Sequence, residues 1–513
     1  MSADSAREQH DALVSLDNLA EVYRQQGRYR DAEPLLLRAR GLREEALGKA
    51  HPKVAETLNS LGRLYQSLGR YGEAEPLHRR ALEIGRSLGP EHAGLVGASL
   101  NEIGDLRRAQ GRYEEAERDY DEALEIYRGR PSGESPDVAR VTQGLAQLYR
   151  DKGRYDKALS LLEDSLRIWR STRGSESPEV GETLDCIAGV QTDAARYLEA
   201  EQMYSRALQI RRRALGPDHP GVADSLTGLA SLYFALGRYK DAMNLRERAR
   251  ELLERTLGPE SREAAIVLGN LGNDNHVQGR YAKADELYSR ARTSLESLLG
   301  PTHRDVVMLM HNIANLRWDE QRIEEAEKLL CEAEKTFLET LGPNHPDVNW
   351  ARTSYADLLA ALGRYDEAIP RYKSALAAQE DLLGPGHPAV GRTLLGMSRA
   401  VYSSGGVEAA EPLARRALAL YEAAFGEEHP DVAMALATIA QLRAADDLAE
   451  SERLYRRAIE IRERIFEPGS ESVEILYREL AQLLAGSDDE QAEALSRRAD
   501  SIREVRLTRA ADL

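Results

Sequence analysis

One triplet, Gly-Arg-Tyr, returns at a fixed spacing along almost the whole chain. It stands at Gly27-Arg28-Tyr29, Gly69-Arg70-Tyr71, Gly111-Arg112-Tyr113, Gly153-Arg154-Tyr155 and Gly237-Arg238-Tyr239, then at Gly279-Arg280-Tyr281 and Gly363-Arg364-Tyr365. The register is 42 residues throughout, with altered copies at Ala195-Arg196-Tyr197, Gln321-Arg322-Ile323 and Gly405-Gly406-Val407. Two later copies, around Leu448 and Asp489, each fall one residue short. Twelve copies of one unit therefore fill the sequence. A period of this length marks a solenoid, in which each unit covers the apolar face of its neighbour. Core and length then grow together, so 513 residues need no break into separate globular cores.

Residues 219 to 258 show what a unit contains. Pro220 suits the first position of a helix, where its missing N–H would have had no partner. Val222, Leu226, Leu229, Leu232 and Tyr233 follow at three- and four-residue steps, the apolar stripe of an α-helix (helix A) of about fifteen residues. Gly237 ends it, as the residue able to enter the left-handed region after the last turn. Ala242, Leu245, Ala249, Leu252 and Leu253 form the stripe of a returning helix B, which Leu257-Gly258-Pro259 stops. In other copies Pro34, Pro76, Pro370 and Pro412 lie five residues past the tyrosine position. Proline is cheap only in a first turn, so helix B is expected to begin one or two residues after the tyrosine. Two helices per unit give about 24 in an all-α solenoid, and no stretch alternates like a strand.

Residues 1–9 are polar and expected to fray, 10–486 form the array, and 487–513 are expected to cap it. Arg497, Arg498, Arg503, Arg506 and Arg509 keep that last helix polar, as the outer face of a terminal unit must be. A net charge of −17 argues against a nucleic-acid partner. The start lacks an apolar signal core, and no run reaches the roughly 18 apolar residues of a membrane span. Cys186 and Cys331 stand far apart with no metal-ligand spacing, as packed thiols of a reducing compartment would. A cytoplasmic protein is expected, and the excess of Arg over Lys suggests a bacterial genome.

Leu58, Leu61-Gly62, Tyr65, Gly69, Tyr71, Ala74 and Ala81 stand at the spacing of the tetratricopeptide signature. The loops Leu215-Gly216-Pro217-Asp218-His219-Pro220, Leu341-Gly342-Pro343-Asn344-His345-Pro346 and Leu383-Gly384-Pro385-Gly386-His387-Pro388 narrow the resemblance to the repeats of kinesin light chains and their bacterial relatives. The heptad coiled coil of kinesin light chains has no counterpart here, so motor binding is not implied. The resemblance implies a right-handed superhelix whose A helices line a concave groove for an extended peptide or a partner helix. On that pattern Arg24, Asn59, Arg63, Gln66, Asn101, Arg108, Arg140, Gln143 and Arg150 face the groove in the first four units. From the sixth unit the matching positions are Phe234, Ile266, His276, Met308, His311, Trp318, Trp350 and Tyr402. The expected groove thus changes from basic and polar to aromatic and apolar. Paired asparagines on helix A, a feature of the family, are matched only by Asn18, Asn59, Asn101, Asn270 and Asn312.

His51, His219, His303, His345, His387 and His429 recur just before helix A, yet successive units stand roughly 8–10 Å apart. A metal ligand lies about 2 Å from its ion, so neighbouring repeats cannot share one. Ser135, Ser177, Ser261 and Ser470 fill the same slot, which points to capping of the helix start. Neither a P-loop, HExxH, GxSxG, EF-hand loop nor Rossmann glycine set occurs, so no enzyme, metal or cofactor is expected. The leading expectation is a scaffold or adaptor for a peptide or protein, with an acidic segment as a natural ligand for the arginines. The alternatives are a regulatory sensor or inhibitor subunit wrapped around an enzyme, and an array that self-associates into homo-oligomers.

Overall fold

The computed structural model describes residues 15–24, 26–130, 133–466 and 470–511, with side chains up to residue 506. The polar residues 1–9 lie outside that set. Among the described residues there are twenty-four α-helices and no strand. Each helix A packs on its own helix B, and each B on the next A. Neighbouring A helices also touch one another, so they form the inner wall and the B helices the outer one.

Local chemistry sets the boundaries. In the first unit residues 15–24 are helical and are followed by Tyr29–Leu47; the eighth unit has Arg304–Asp319 and Ile323–Leu341. Each loop histidine is an N-cap: Nδ1 of His51, His219, His303, His345, His387 and His429 accepts the amide N–H two residues on. Ser135, Ser177 and Ser261 accept instead from three residues on, the usual serine cap. Helix B differs from expectation, because it starts at the tyrosine itself. The Arg28 carbonyl already accepts from the amides of Asp31 and Ala32, which closes the first turn there. Pro34, Pro76, Pro370 and Pro412 consequently sit one turn inside their helices. An added Cβ at Gly272 would stand 2.4 Å from the buried Tyr288 ring of the same unit, and one at Gly396 would stand 2.8 Å from Tyr372 of the preceding unit. Glycine on helix A is what lets a whole tyrosine of a helix B fill the space against it, within a unit or between neighbours.

The array winds so tightly that unit n touches unit n + 6. Arg30 Nη2 donates to the Ser297 carbonyl at 2.9 Å, across 267 residues. His345 Nε2 lies 2.9 Å from the Ala109 carbonyl, and His387 Nε2 lies 3.2 Å from that of Asp151. Tyr155 stacks on Phe425 with ring centres 6.0 Å apart, Leu299 packs on the cluster around Tyr29, and Gly237 faces Phe466. This seam sets the Gly-Arg-Tyr corners of units 1–6 against the loops that open helix A in units 7–12. The loop histidine thus works twice. Its Nδ1 caps a helix, which leaves the proton on Nε2 to bond a carbonyl of the turn beside it. Two cavities interrupt the seam, about 410 Å³ among Tyr29, Tyr71, Leu299, His303 and Phe337, and about 550 Å³ among Tyr155, Ala195, Phe425 and His429.

Candidate functional site on the inner wall

The wall of the first four units is charge-compensated. Arg24 pairs with Glu21 at 2.6 Å, Arg63 with Glu102 at 2.9 Å, Arg108 with Asp151 at 2.8 Å and Arg150 with Asp193 at 2.6 Å. The last three bonds run from one unit to the next and tie consecutive A helices together. Arg140 is the most open of the set, 61% exposed, and reaches its own Asp137 at 3.2 Å. The expected basic strip is therefore a ladder of ion pairs. Its surroundings are poorly hydrated: burial raises the Glu102 and Asp105 carboxyls above their usual range, against the pull of Arg63 and Arg108 respectively. Burial likewise pushes Asp185 of the fifth unit up to about 7, although Arg211 opposes it.

Asn59 and Asn101 are not presented to the groove. Asn59 is 4% exposed and donates to Ser99 Oγ at 2.9 Å, while its Oδ1 meets buried His78. Asn101 is 7% exposed and donates to Asp105 at 3.0 Å. Both are turned into the stack, where Asn101 Oδ1 has no hydrogen-bond partner among the described residues. Gln143 donates across units to Thr183 at 2.7 Å in the same way.

In the second half of the chain the expected aromatic positions divide. Phe234 meets Tyr239 edge-on at 5.4 Å and lies under the Arg246 guanidinium, whose charge is held by the buried Asp274. It roofs an ion pair. His276 Nε2 pairs with Asp319 at 2.8 Å, repeating the unit-to-unit link of Arg108 and Arg150. Tyr402 leans on the core of units 10 and 11. Trp318 rests one face on the cluster around Tyr355 and Leu359, and Trp350 on that around Val307 and Phe337; both stay half-buried.

His311 and Trp350 form the focus of this wall. Their rings lie 4.2 Å apart, and Asn315 Nδ2 approaches His311 Nδ1 at 3.4 Å. Burial, with the nearby Arg392 charge second, lowers His311 to about 4, so the imidazole is neutral at pH 7. Met308 and Asn312, both half-buried, adjoin it on the same helix. Arg392, one period after Trp350, adds an open guanidinium 3.8 Å from Asp357. Sequence reasoning passed over Arg392 and Asn315, although the 42-residue register from Trp350 leads directly to Arg392. The patch brings flat apolar surface, side-chain amides and the exposed Arg392 guanidinium together within three consecutive units.

A tetratricopeptide repeat model matches residues 11–87, 95–171, 179–255, 235–297, 263–339, 305–381 and 347–423, and a second tetratricopeptide model matches 434–471. Among solved structures, BtubC (BKLC) from P. vanneervenii is 26% identical, with 44% of this chain and 90% of that one covered and a TM-score of 0.38. A Rap protein complexed with Competence and Sporulation Factor is 16% identical, with 72% and 99% covered and a TM-score of 0.46. No curated protein matches the sequence. With the repeat model matched over most of its length, the chain belongs to the tetratricopeptide repeat family.

Proposed function

We propose that this protein is a binding scaffold, not an enzyme, that holds an extended peptide segment of a partner along its inner wall, anchored on units 8 to 10. The observation that carries this reading is the half-open His311–Trp350 pair with Asn312, Asn315 and Arg392 around it. An apolar side chain would stack on the two rings, and the amides would bond the peptide backbone beside it. Trp318 extends the apolar surface within the same wall. An acidic residue in the ligand would meet Arg392 or Arg140, the more open guanidinium groups. At Arg63, Arg108 or Arg150 it would first have to displace a bound carboxylate. Residues 10–486 serve as the binding array and 487–513 as its polar end. No helix among the described residues is long and apolar enough to cross a membrane, and two free, separate thiols suit a cytoplasmic setting.

The test is capture of partners from host lysate by the full chain and by the His311→Ala and Trp350→Ala variants. Loss of an anchor is expected to weaken capture by more than about 1 kcal/mol. Arg24→Ala, at a paired position outside the patch, is the control. Capture equal for all four proteins would refute the assignment.

A further inference from the structure

The seam uses two kinds of edge, and both recur uncovered. Inside the chain, the corner edge of units 1–6 lies under the loop edge of units 7–12. Among the described residues, the corner edge of units 8–11 and the loop edge of units 2–6 have nothing over them. We propose that a second copy of this chain docks there head to tail, laying its loop edge on the corner edge of units 8–11 in the same six-unit register.

Three observations support that occupant. First, both free edges carry exposed apolar residues. The corner position holds Ile323, Tyr365, Val407 and Leu448, of which Val407 is 46% and Leu448 38% exposed. On the loop edge Leu47, 46% exposed, holds the place that Leu299 and Leu383 hold inside the seam. Second, half of the histidine clamp is idle on the loop edge. Nδ1 of His51 caps a helix, as in the seam, but its Nε2 atom has no partner among the described residues. The register directs His51 of one copy at the Asp319 carbonyl of the other, the counterpart of the carbonyls that His345 and His387 bond. Third, charge follows the register. The eleventh corner replaces Gly-Arg-Tyr by Asp446-Asp447, and six units earlier the opposing loop carries Arg173, exposed and without a carboxylate among the described residues. Matching one edge to a different edge makes the contact heterologous, so it repeats from copy to copy and builds linear chains of molecules.

Mass photometry and light scattering of the full chain over about a hundredfold dilution series test this. Wild type is expected to run from monomer to multiples of the chain as concentration rises. Val407→Lys with Leu448→Lys blocks the corner edge, and Leu47→Lys with Arg173→Ala blocks the loop edge. Each pair should move assembly to at least tenfold higher concentration with an unchanged circular-dichroism melt, since all four side chains are exposed. Mixed one to one, the two blocked proteins should form dimers and nothing larger, because each keeps the edge the other lacks. Trp350→Ala on the inner wall should assemble like wild type, which separates this contact from peptide binding. Monomer throughout, blocked proteins that assemble normally, or a mixture that stays monomeric would each overturn the proposal.

Discussion

Replacing Gly111 by Ala probes the seam, because it strains the backbone and crowds the neighbouring turn at once. Gly111 sits at φ 72°, in the left-handed region, and an added Cβ would lie 2.9 Å from Pro346 Cδ. Gly363 provides the matched control: its φ is 74°, and an added Cβ there would meet nothing within 4 Å. Left-handed strain costs about 1–2 kcal/mol at either site. At Gly111 the rigid ring of Pro346 cannot rotate aside, so overpacking adds about 1–3 kcal/mol. That second amount is levied on the contact between units 3 and 9. Hydrogen exchange followed by mass spectrometry reads it locally, without assuming two-state unfolding of a repeat array. Gly111→Ala should speed exchange about five- to a hundredfold at the start of Pro346–Ala361 as well as in its own unit. Gly363→Ala should act on units 9 and 10 and leave units 3 and 4 unchanged. If Gly111→Ala disturbs only units 2 to 4, the turns do not bear on one another.

The loop histidines give two further expectations. His219→Ala removes only a helix cap, worth about 1 kcal/mol, whereas His345→Ala also loses the bond to the Ala109 carbonyl, worth about 1 kcal/mol more. Denaturation midpoints of the two variants should rank in that order, and equal losses would count against the clamp. Burial lowers His303, His345 and His387, and brings His429 to about 4. A histidine held below its unfolded value of about 6.5 favours folding above that pH, and its contribution is lost as pH falls from there through the folded value. For His429 the shift corresponds to about 3 kcal/mol. Imidazole NMR titration checks it: midpoints below the ordinary histidine value are expected for all four, lowest for His429, and a midpoint at 6.5 or above would contradict the caps.

Much of this architecture is legible in the sequence because each helical pair is encoded locally. Gly237, Pro220 and the three- and four-residue apolar steps mark corners and starts without reference to any other unit. The start of helix B is not legible from the sequence, because Pro34 reads as a first-turn residue whereas the Arg28 carbonyl closes a turn ahead of it. The six-unit seam is harder to see, since it depends on curvature that accumulates from small rotations between units. Yet it leaves a trace. The corner tyrosine is kept from Tyr29 to Tyr281 and again at Tyr365, and it is replaced only at corners the other turn does not cover, Ile323, Val407 and Leu448 among them. Histidine fills four consecutive loop slots, His303 to His429, against the covered corners. The sequence marks the inner-wall arginines as wall residues but does not show their pairing. Their carboxylates lie 43 residues on, at Asp151 for Arg108 and Asp193 for Arg150, one position past the repeat. Helix-face patterning within a unit does not display a partner in the next.

The wound array with contacting turns underlies the enclosed wall, the caps and the free edges alike. Its most direct measurement is cross-linking of Arg30→Cys with Ser297→Cys by a short bismaleimide, with Cys186 and Cys331 replaced by Ser, because both positions are exposed and their side chain and backbone meet at 2.9 Å. Efficient cross-linking within the monomer, joining residues 267 apart, is the expected result. A monomer that remains uncross-linked while each cysteine still reacts singly would show that the turns stand apart.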